Sequence, residues 1–461
     1  PGNPGAVGVE FMGANNCHIG NATIRSLDGQ GIAGLRFRIT PTQGYHSDIT
    51  IDGFDYGIQL GGFHVTHPAI EHVTLTNQRK AGIRIQNSSA SLRSICSKNN
   101  VPALLLDASA AYAAMVDSRF TSEDGAETAI EVNSGTLFAR NIATEGYTVA
   151  AKGPGIARRE RQHIGEMVIG NTFSARQDNR PRSLNLPIKD VPSVPWEQDL
   201  DQWANVVNFG AKADGEHDDS LAIQAAMNSG RSTVYFPCGT HVAKQAIAVP
   251  ATVKRILGMY HEVNLDLVAR EVCDDPLVID ECCGVDVDCQ STRTLVMRNC
   301  SSTNVHSSTG AGPDIFAAGV SSCAFKDTKN MSIWGRGLNP EGQRLPLTAQ
   351  AGSKFWVFGF KMERGLTGAA HLTSQVDEAF IGNPMFLAEA DSQLEVLGGV
   401  GGVHNKAFLL NRGGAVSLTC VTGTRGALRG NAMAEPIVDF SGTKALVIGR
   451  DELPIRSPRT S

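Results

Sequence analysis

The sequence predicts an all-β chain built as two parallel β-helices in tandem, joined by a long linker. Three observations carry this. Short β-branched segments recur through the first 150 residues, a proline-rich stretch then interrupts them, and a tryptophan–glycine–glutamate pattern recurs at a fixed offset further on. A repeat of 20–30 residues means stacked units that cannot bury their apolar face alone.

Ala22-Thr23-Ile24, Ile49-Thr50-Ile51 and Val73-Thr74-Leu75 are the clearest repeats, with echoes centred on Ile95, Phe120 and Ile142. From Ile24 to Ile142 the mean step is (142 − 24)/5, close to 24 residues. Second short runs follow at a similar offset, as in Tyr56-Gly57-Ile58 and Ala81-Gly82-Ile83. Short strands with Gly and Asn at the corners read as β-helix coils, and the leucine and asparagine signature of leucine-rich repeats is absent. The first β-helix is expected to span residues 1–151.

The pattern dissolves over residues 152–204, where Arg158, Arg159 and Arg161 gather and prolines fall at 181, 187, 192 and 195. This reads as a connector with a solvated basic face, since long structureless segments inside a compact domain are uncommon. A second β-helix is expected over 205–461. It opens with Asn208-Phe209-Gly210-Ala211-Lys212-Ala213-Asp214-Gly215, followed by one helix started by Asp218-Asp219-Ser220, with Leu221, Ile223, Ala225 and Ala226 as its apolar side. Carboxylates at a helix start cap free N–H groups and complement the dipole, which explains Asp214, Asp218 and Asp219 better than catalysis or metal binding does. Val234-Tyr235-Phe236 and Ile247-Ala248-Val249 are short strands after it.

Composition agrees with this outline. The 461 residues include 49 glycines, with only 19% charged and 6% aromatic residues, a profile unlike a helical bundle. The formal charge of −5, without a basic stripe, excludes an electrostatic nucleic-acid footprint. No apolar run approaches the ~18 residues needed to span a bilayer, so neither nucleic acid nor membrane is an expected partner. The ten cysteines include no CxxC pair, and Cys282-Cys283-x5-Cys289 fits no common zinc spacing, so buried thiols are expected and no metal or cofactor. A secretory signal is not in this chain.

The sharper chemical signal lies in the second half. Ile333-Trp334-Gly335-Arg336-Gly337-Leu338-Asn339-Pro340-Glu341 aligns with Phe355-Trp356-Val357-Phe358-Gly359-Phe360-Lys361-Met362-Glu363, so Trp334/Trp356, Gly337/Gly359 and Glu341/Glu363 are each 22 residues apart. One coil of that length stacks each pair on adjacent rungs, about 4.8 Å apart. Two carboxyls that close repel, which keeps one protonated near neutrality, and a protonated carboxyl beside an ionised one is what glycosidic cleavage needs. Trp334 and Trp356 offer either a sugar platform or core stacking; Arg336 and Arg364 are candidate substrate contacts. Lys361, Arg344 and Arg364 lie close to Glu363, and a cation alongside would lower a carboxyl pKa.

The run NFGAKADGEHDDSLAIQAAM…STVYFPCGTHVA…IAVP resembles the opening motif of the pectate-lyase superfamily of right-handed β-helices, whose helix plugs the N-terminal end of the coil stack. Lyases, hydrolases and phage tailspikes share that motif, so it speaks for fold and not for chemistry. The first repeat region lacks it, and the first β-helix is therefore expected to be incomplete at its N-terminus. Tandem β-helices with a long linker resemble glycoside hydrolase family 55, the β-1,3-glucanases. Trp356-Val357-Phe358-Gly359-x-x-x-Glu363 is similar to the segment that carries their general acid, and Glu341 sits where they place a second acidic residue. The resemblance implies a secreted or periplasmic enzyme that hydrolyses a polysaccharide between its two β-helices, with inversion and no cofactor. Carboxyls about 5 Å apart would by themselves suggest retention. The turn expected to handle the water, Gly61-Gly62-Phe63-His64, lacks the family's glutamines and offers His64 instead. Two rival readings keep the fold: a uronan lyase using Lys361, Arg364 or Arg336, with Asp286 and Asp288 as a weak calcium site, or a non-catalytic glycan-binding or structural protein. Glu395 belongs to the next coil, after an insertion around 377–391 that is expected to wall the cleft.

Overall fold

The computed structural model describes residues 2–13, 15–38, 43–61, 67–159, 162–170, 173–174, 183–341, 347–362, 385–401, 409–422, 437–439 and 446–447. The chain is an all-β parallel solenoid with one α-helix, Ser220–Met227, among the described residues. Strands from Val7–Phe11 to His163–Ile169 form a 13-stranded sheet, and those from Trp203–Asn205 onward form ladders of ten and nine strands. In the two later ladders, from Thr233–Tyr235 onward, and through the first eight strands of the 13-stranded sheet, a strand pairs with the next-but-one in sequence, as a coiling chain requires.

The registers reproduce the sequence repeat. Ala22, Ile49, Val73 and Ile95 stack in one column, and Ala33, Tyr56 and Ala81 in another. Alternate side chains point inward, so the apolar column becomes a continuous core running from Ile24 to Ile169. A second core runs from Ala204 to Leu418 and includes Cys282, Cys289, Cys300 and Cys323. Burial pushes the Cys289, Cys300 and Cys323 thiols up to about 12, so they behave as small core hydrophobes.

Ladder pairing continues beyond residue 151. Thr128–Glu145 pairs antiparallel with His163–Ile169, which closes the end of the first coil stack with a reversed strand rather than another coil. A reversed strand does not keep the 24-residue spacing, so the repeat fades before the sheet ends. Residues 183–199 then run without regular secondary structure.

The helix caps the second stack, as its motif implies. Ile223, Ala226 and Met227 join the core with Val206, Val234 and Phe236, whereas Leu221 is 80% exposed and is not part of the apolar side. The Asp214 carboxylate accepts from the Glu216 and His217 amides, and Asp218 accepts from the Ser220 and Lys244 amides. Asp219 occupies the N-cap position but turns back to accept from the Lys212 and Ala213 amides, fastening the preceding loop. All three carboxylates are structural.

Candidate functional site

The outward face of the ten-stranded ladder carries a column set by its register: Arg255, Val278, Val296, Phe316, Trp334, Trp356, Glu395 and Ser417. This column does not face solvent. It packs with Tyr45, Ala69, Tyr112 and Phe138 of the first stack and with Leu186 and Val194 of the linker in a third apolar cluster. The two coil stacks meet here along a seam, with the linker laid into it.

Trp334 and Trp356 pair in register at the expected offset of 22, but their rings have other partners. Trp334 stacks on Phe316 with centroids 4.9 Å apart, and its indole donates to Pro187 O at 2.9 Å. Trp356 stacks on Phe358 at 5.2 Å and is 1% exposed. Both rings belong to the seam, neither in a coil interior nor open to a sugar. Arg336 is fully buried beside them, donating to Glu71 Oε2 at 2.7 Å and to Lys189 O at 2.6 Å. Substrate contact through Trp334, Trp356 or Arg336, or proton abstraction by Arg336, would require the stacks to part.

The charges inside the seam are paired across it. Glu71 also receives Tyr45 Oη at 2.9 Å and Arg93 at 3.1 Å. Burial pushes the Glu71 carboxyl up, but Arg336 and Arg93 outweigh it and hold the group ionised below its usual range. Further along, Arg140 donates to Glu395 at 2.8 Å, and the Asn185 and Leu186 amides complete the cradle around that carboxylate. Sequence reasoning missed Glu71, Arg93 and Arg140. The only available signal was a charged residue inside an otherwise apolar strand, as in Leu394-Glu395-Val396.

A second column explains the paired glycines. Glu281, Asn299, Gly319, Gly337, Gly359 and Gly398 all have positive φ. A Cβ on Gly337 would lie 2.4 Å from Gly44 O, and one on Gly398 would lie 2.1 Å from Ser91 Oγ. Where the stacks touch, only glycine fits; at Glu281 and Asn299 side chains are accommodated.

The edge of this seam is where Glu341 lies. The 22-residue register holds from Ser332↔Lys354 to Leu338↔Phe360, and Glu341 follows three residues later, partly buried. Its amide donates to Asn339 Oδ1 at 3.4 Å, in a turn that the strand Ser332–Leu338 delivers to the edge. First-stack groups converge on the same edge. Gln43 donates to Leu338 O at 3.3 Å and accepts from the His67 amide at 3.2 Å, and Lys361 donates to Asn15 Oδ1 at 2.7 Å. His67 is fully buried, with its ring nitrogens on Ser89 Oγ at 2.9 Å and Ser91 Oγ at 2.7 Å. Burial pulls its pKa down to about 3, which makes it a neutral structural imidazole.

Glu363, Arg364, His64 and Arg344 lie outside the described residues, as do residues 377–384 of the expected cleft wall. Asp286 accepts from Asn304 and Asp288 from Ser308, each one rung on, and Asp288 also accepts from Gln290 two residues along, so the carboxylates of the weak calcium candidate are engaged in local hydrogen bonds. Among the described residues no group of three or more His, Cys, Asp or Glu is arranged to hold a metal ion.

A family model described as "Rhamnogalacturonase A/epimerase, pectate lyase-like" matches residues 203–258, the segment that holds the capping helix and the first coils of the second stack. The fold is a parallel β-helix, and its residues 203–258 are similar to a pectate-lyase-like family. No curated protein matches the chain. Such a fold suits a protein that acts on or binds polysaccharide, and the matched segment does not choose between lyase and hydrolase.

Proposed function

We propose that this protein is a secreted or periplasmic glycoside hydrolase that cleaves a polysaccharide of the β-1,3-glucan type at the edge of the seam between two β-helical units. The observation that supports the reading is the 22-residue register from Ser332 to Leu338, the same spacing that separates Glu341 from Glu363 in the sequence. Glycosidic cleavage divides the proton-donating and charge-stabilising roles between two such carboxyls. Glu363 then protonates the leaving glycosidic oxygen, the Glu341 carboxylate offsets the positive charge that develops on the sugar ring, and water activated by other groups attacks the anomeric carbon from the opposite side. Lys361, two residues before Glu363 in sequence, is buried and donates to Asn15 Oδ1, which ties this strand end to the first stack. Inversion follows from the family resemblance. No step in this scheme needs a cofactor.

The test is reducing-sugar release from a panel of β-glucans and uronans, with wild type beside Glu363→Gln. Release from a β-1,3-glucan that falls by about 10²-fold or more in the variant supports both substrate and acid. Ultraviolet-absorbing unsaturated products from a uronan would instead identify a lyase. Silence on every glycan, with retained binding, would leave a binding protein.

A further inference from the structure

The first coil stack carries a cavity that the seam chemistry does not use. It measures about 530 Å³, within the roughly 300–1,000 Å³ typical of small-molecule sites. It opens where the strands Tyr45–Asp52, Ala69–Thr76 and Ser89–Lys98 end, with Asp52, Thr76 and Lys98 in one register column. Seven residues back along each strand, Tyr45, Ala69 and Ser91 form the column that lies against the second stack. Left-handed residues at Asp48, His72 and Ser94 bend the strands between the two columns, so the cavity faces a different side of the molecule.

The wall is polar throughout, with Asp52, Asn77, Lys98, Asn100 and Glu123 prominent and neither aromatic nor aliphatic side chains among its lining residues. Its charges are balanced locally: Arg25 pairs with Asp52 at 3.2 Å and Lys98 with Glu123 at 2.6 Å. Its amides are braced. Asn77 donates to Asp52 at 2.7 Å, and Asn100 Oδ1 accepts from Ser122 Oγ at 3.0 Å and from the Glu123 amide at 3.1 Å. Fixed donors and acceptors of this kind spare a ligand the cost of ordering them. The lining spans successive rungs, about 4.8 Å apart along the stack, with Asp52, Thr76 and Lys98 in one column. A ligand that matches it is elongated, rich in hydroxyls and uncharged, because the lining side chains are all polar and each wall carboxylate named here already has its cation, Arg25 for Asp52 and Lys98 for Glu123.

We propose that this corner groove is a non-catalytic binding site for a neutral glycan chain lying along the axis of the first stack. It depends on none of the carboxyl assignments at the seam. Affinity electrophoresis of the full chain through gels containing neutral β-glucan, neutral xylan or polygalacturonate tests it, comparing wild type, Glu363→Gln, Asp52→Ala and the double variant Lys98→Ala/Glu123→Ala. Lys98 and Glu123 are both more than 60% exposed, so the double variant folds even if Asp52→Ala does not. The expected result is retardation by at least one neutral glycan, unchanged in Glu363→Gln and weakened about tenfold or more in the double variant. Retardation by polygalacturonate alone, equal retardation of the double variant, or no retardation of wild type would each overturn the proposal. The last outcome together with glycan turnover would sink the corner site and leave hydrolysis standing, whereas corner-dependent retardation without turnover would do the reverse.

Discussion

At the scale of single residues, the two glutamates are separable by experiment. Glu341 is partly buried and its backbone amide donates to Asn339 Oδ1, a bond that a side-chain change leaves in place, so Glu341→Gln should lower turnover by about 10²-fold or more while moving Tm by little. A fall in Tm that accounts for the lost activity would argue for a structural rung instead. The buried histidines make a second prediction. Burial holds His46 and His67 neutral down to about pH 3, whereas in the unfolded chain each titrates near 6.5. A depressed pKa means that the unfolded chain binds more protons between those values, so stability is fully present above about pH 6.5 and is lost as pH falls toward 3. Each histidine contributes up to about 1.4 kcal/mol per pH unit in that window. Urea midpoints measured from pH 7 to pH 4 should therefore decline, and His67→Gln should flatten the decline. A midpoint independent of pH would show that these rings are not buried in solution.

Among the elements, the strand pair Ser332–Leu338 and Lys354–Met362 does two jobs, and its residues divide between them. Ile333, Leu338, Phe355 and Phe360 fill the coil, while Trp334, Arg336, Trp356 and Phe358 reach across the seam. The glycines between them set how closely the stacks approach. Both Gly337→Ala and Gly359→Ala carry the strain of positive φ, about 1–2 kcal/mol. The Gly337 Cβ would also sit 2.4 Å from Gly44 O, against 3.2 Å from Ala69 Cβ at Gly359. Gly337→Ala should therefore lower stability more than Gly359→Ala, and equal denaturation midpoints for the two would contradict the close approach. The tryptophan–glycine part of the repeat was legible as a coil in the sequence because its spacing is a property of the chain itself. That its aromatic column faces another part of the protein was not, since an interior column and a covered outer column have the same composition.

For the whole molecule, the seam is held by ions as well as by apolar contact. Arg140–Glu395 joins residues 255 positions apart, and Arg336–Glu71 residues 265 apart. Removing one partner leaves a buried charge uncompensated, so Glu395→Ala should cost about 3–5 kcal/mol, read as a lower denaturation midpoint. A change below about 1 kcal/mol would mean that water enters the seam there. The linker takes part in the same network through Pro187 O, Lys189 O and Val194 O, which accept from Trp334, Arg336 and Arg255. Its prolines read as a spacer in sequence, yet the segment delivers carbonyls, from Pro187, Lys189 and Val194, that buried donors require. By itself the sequence determined the all-β coil architecture, the 24- and 22-residue registers and the capping helix, because each follows from apolar periodicity and local turn chemistry along one stretch of chain. Only the tertiary structure decided that Trp334, Trp356 and Arg336 are buried and partnered. Burial of an outer face depends on what packs against it, and here the partners are Glu71, Pro187 and Lys189, more than 140 residues away in sequence.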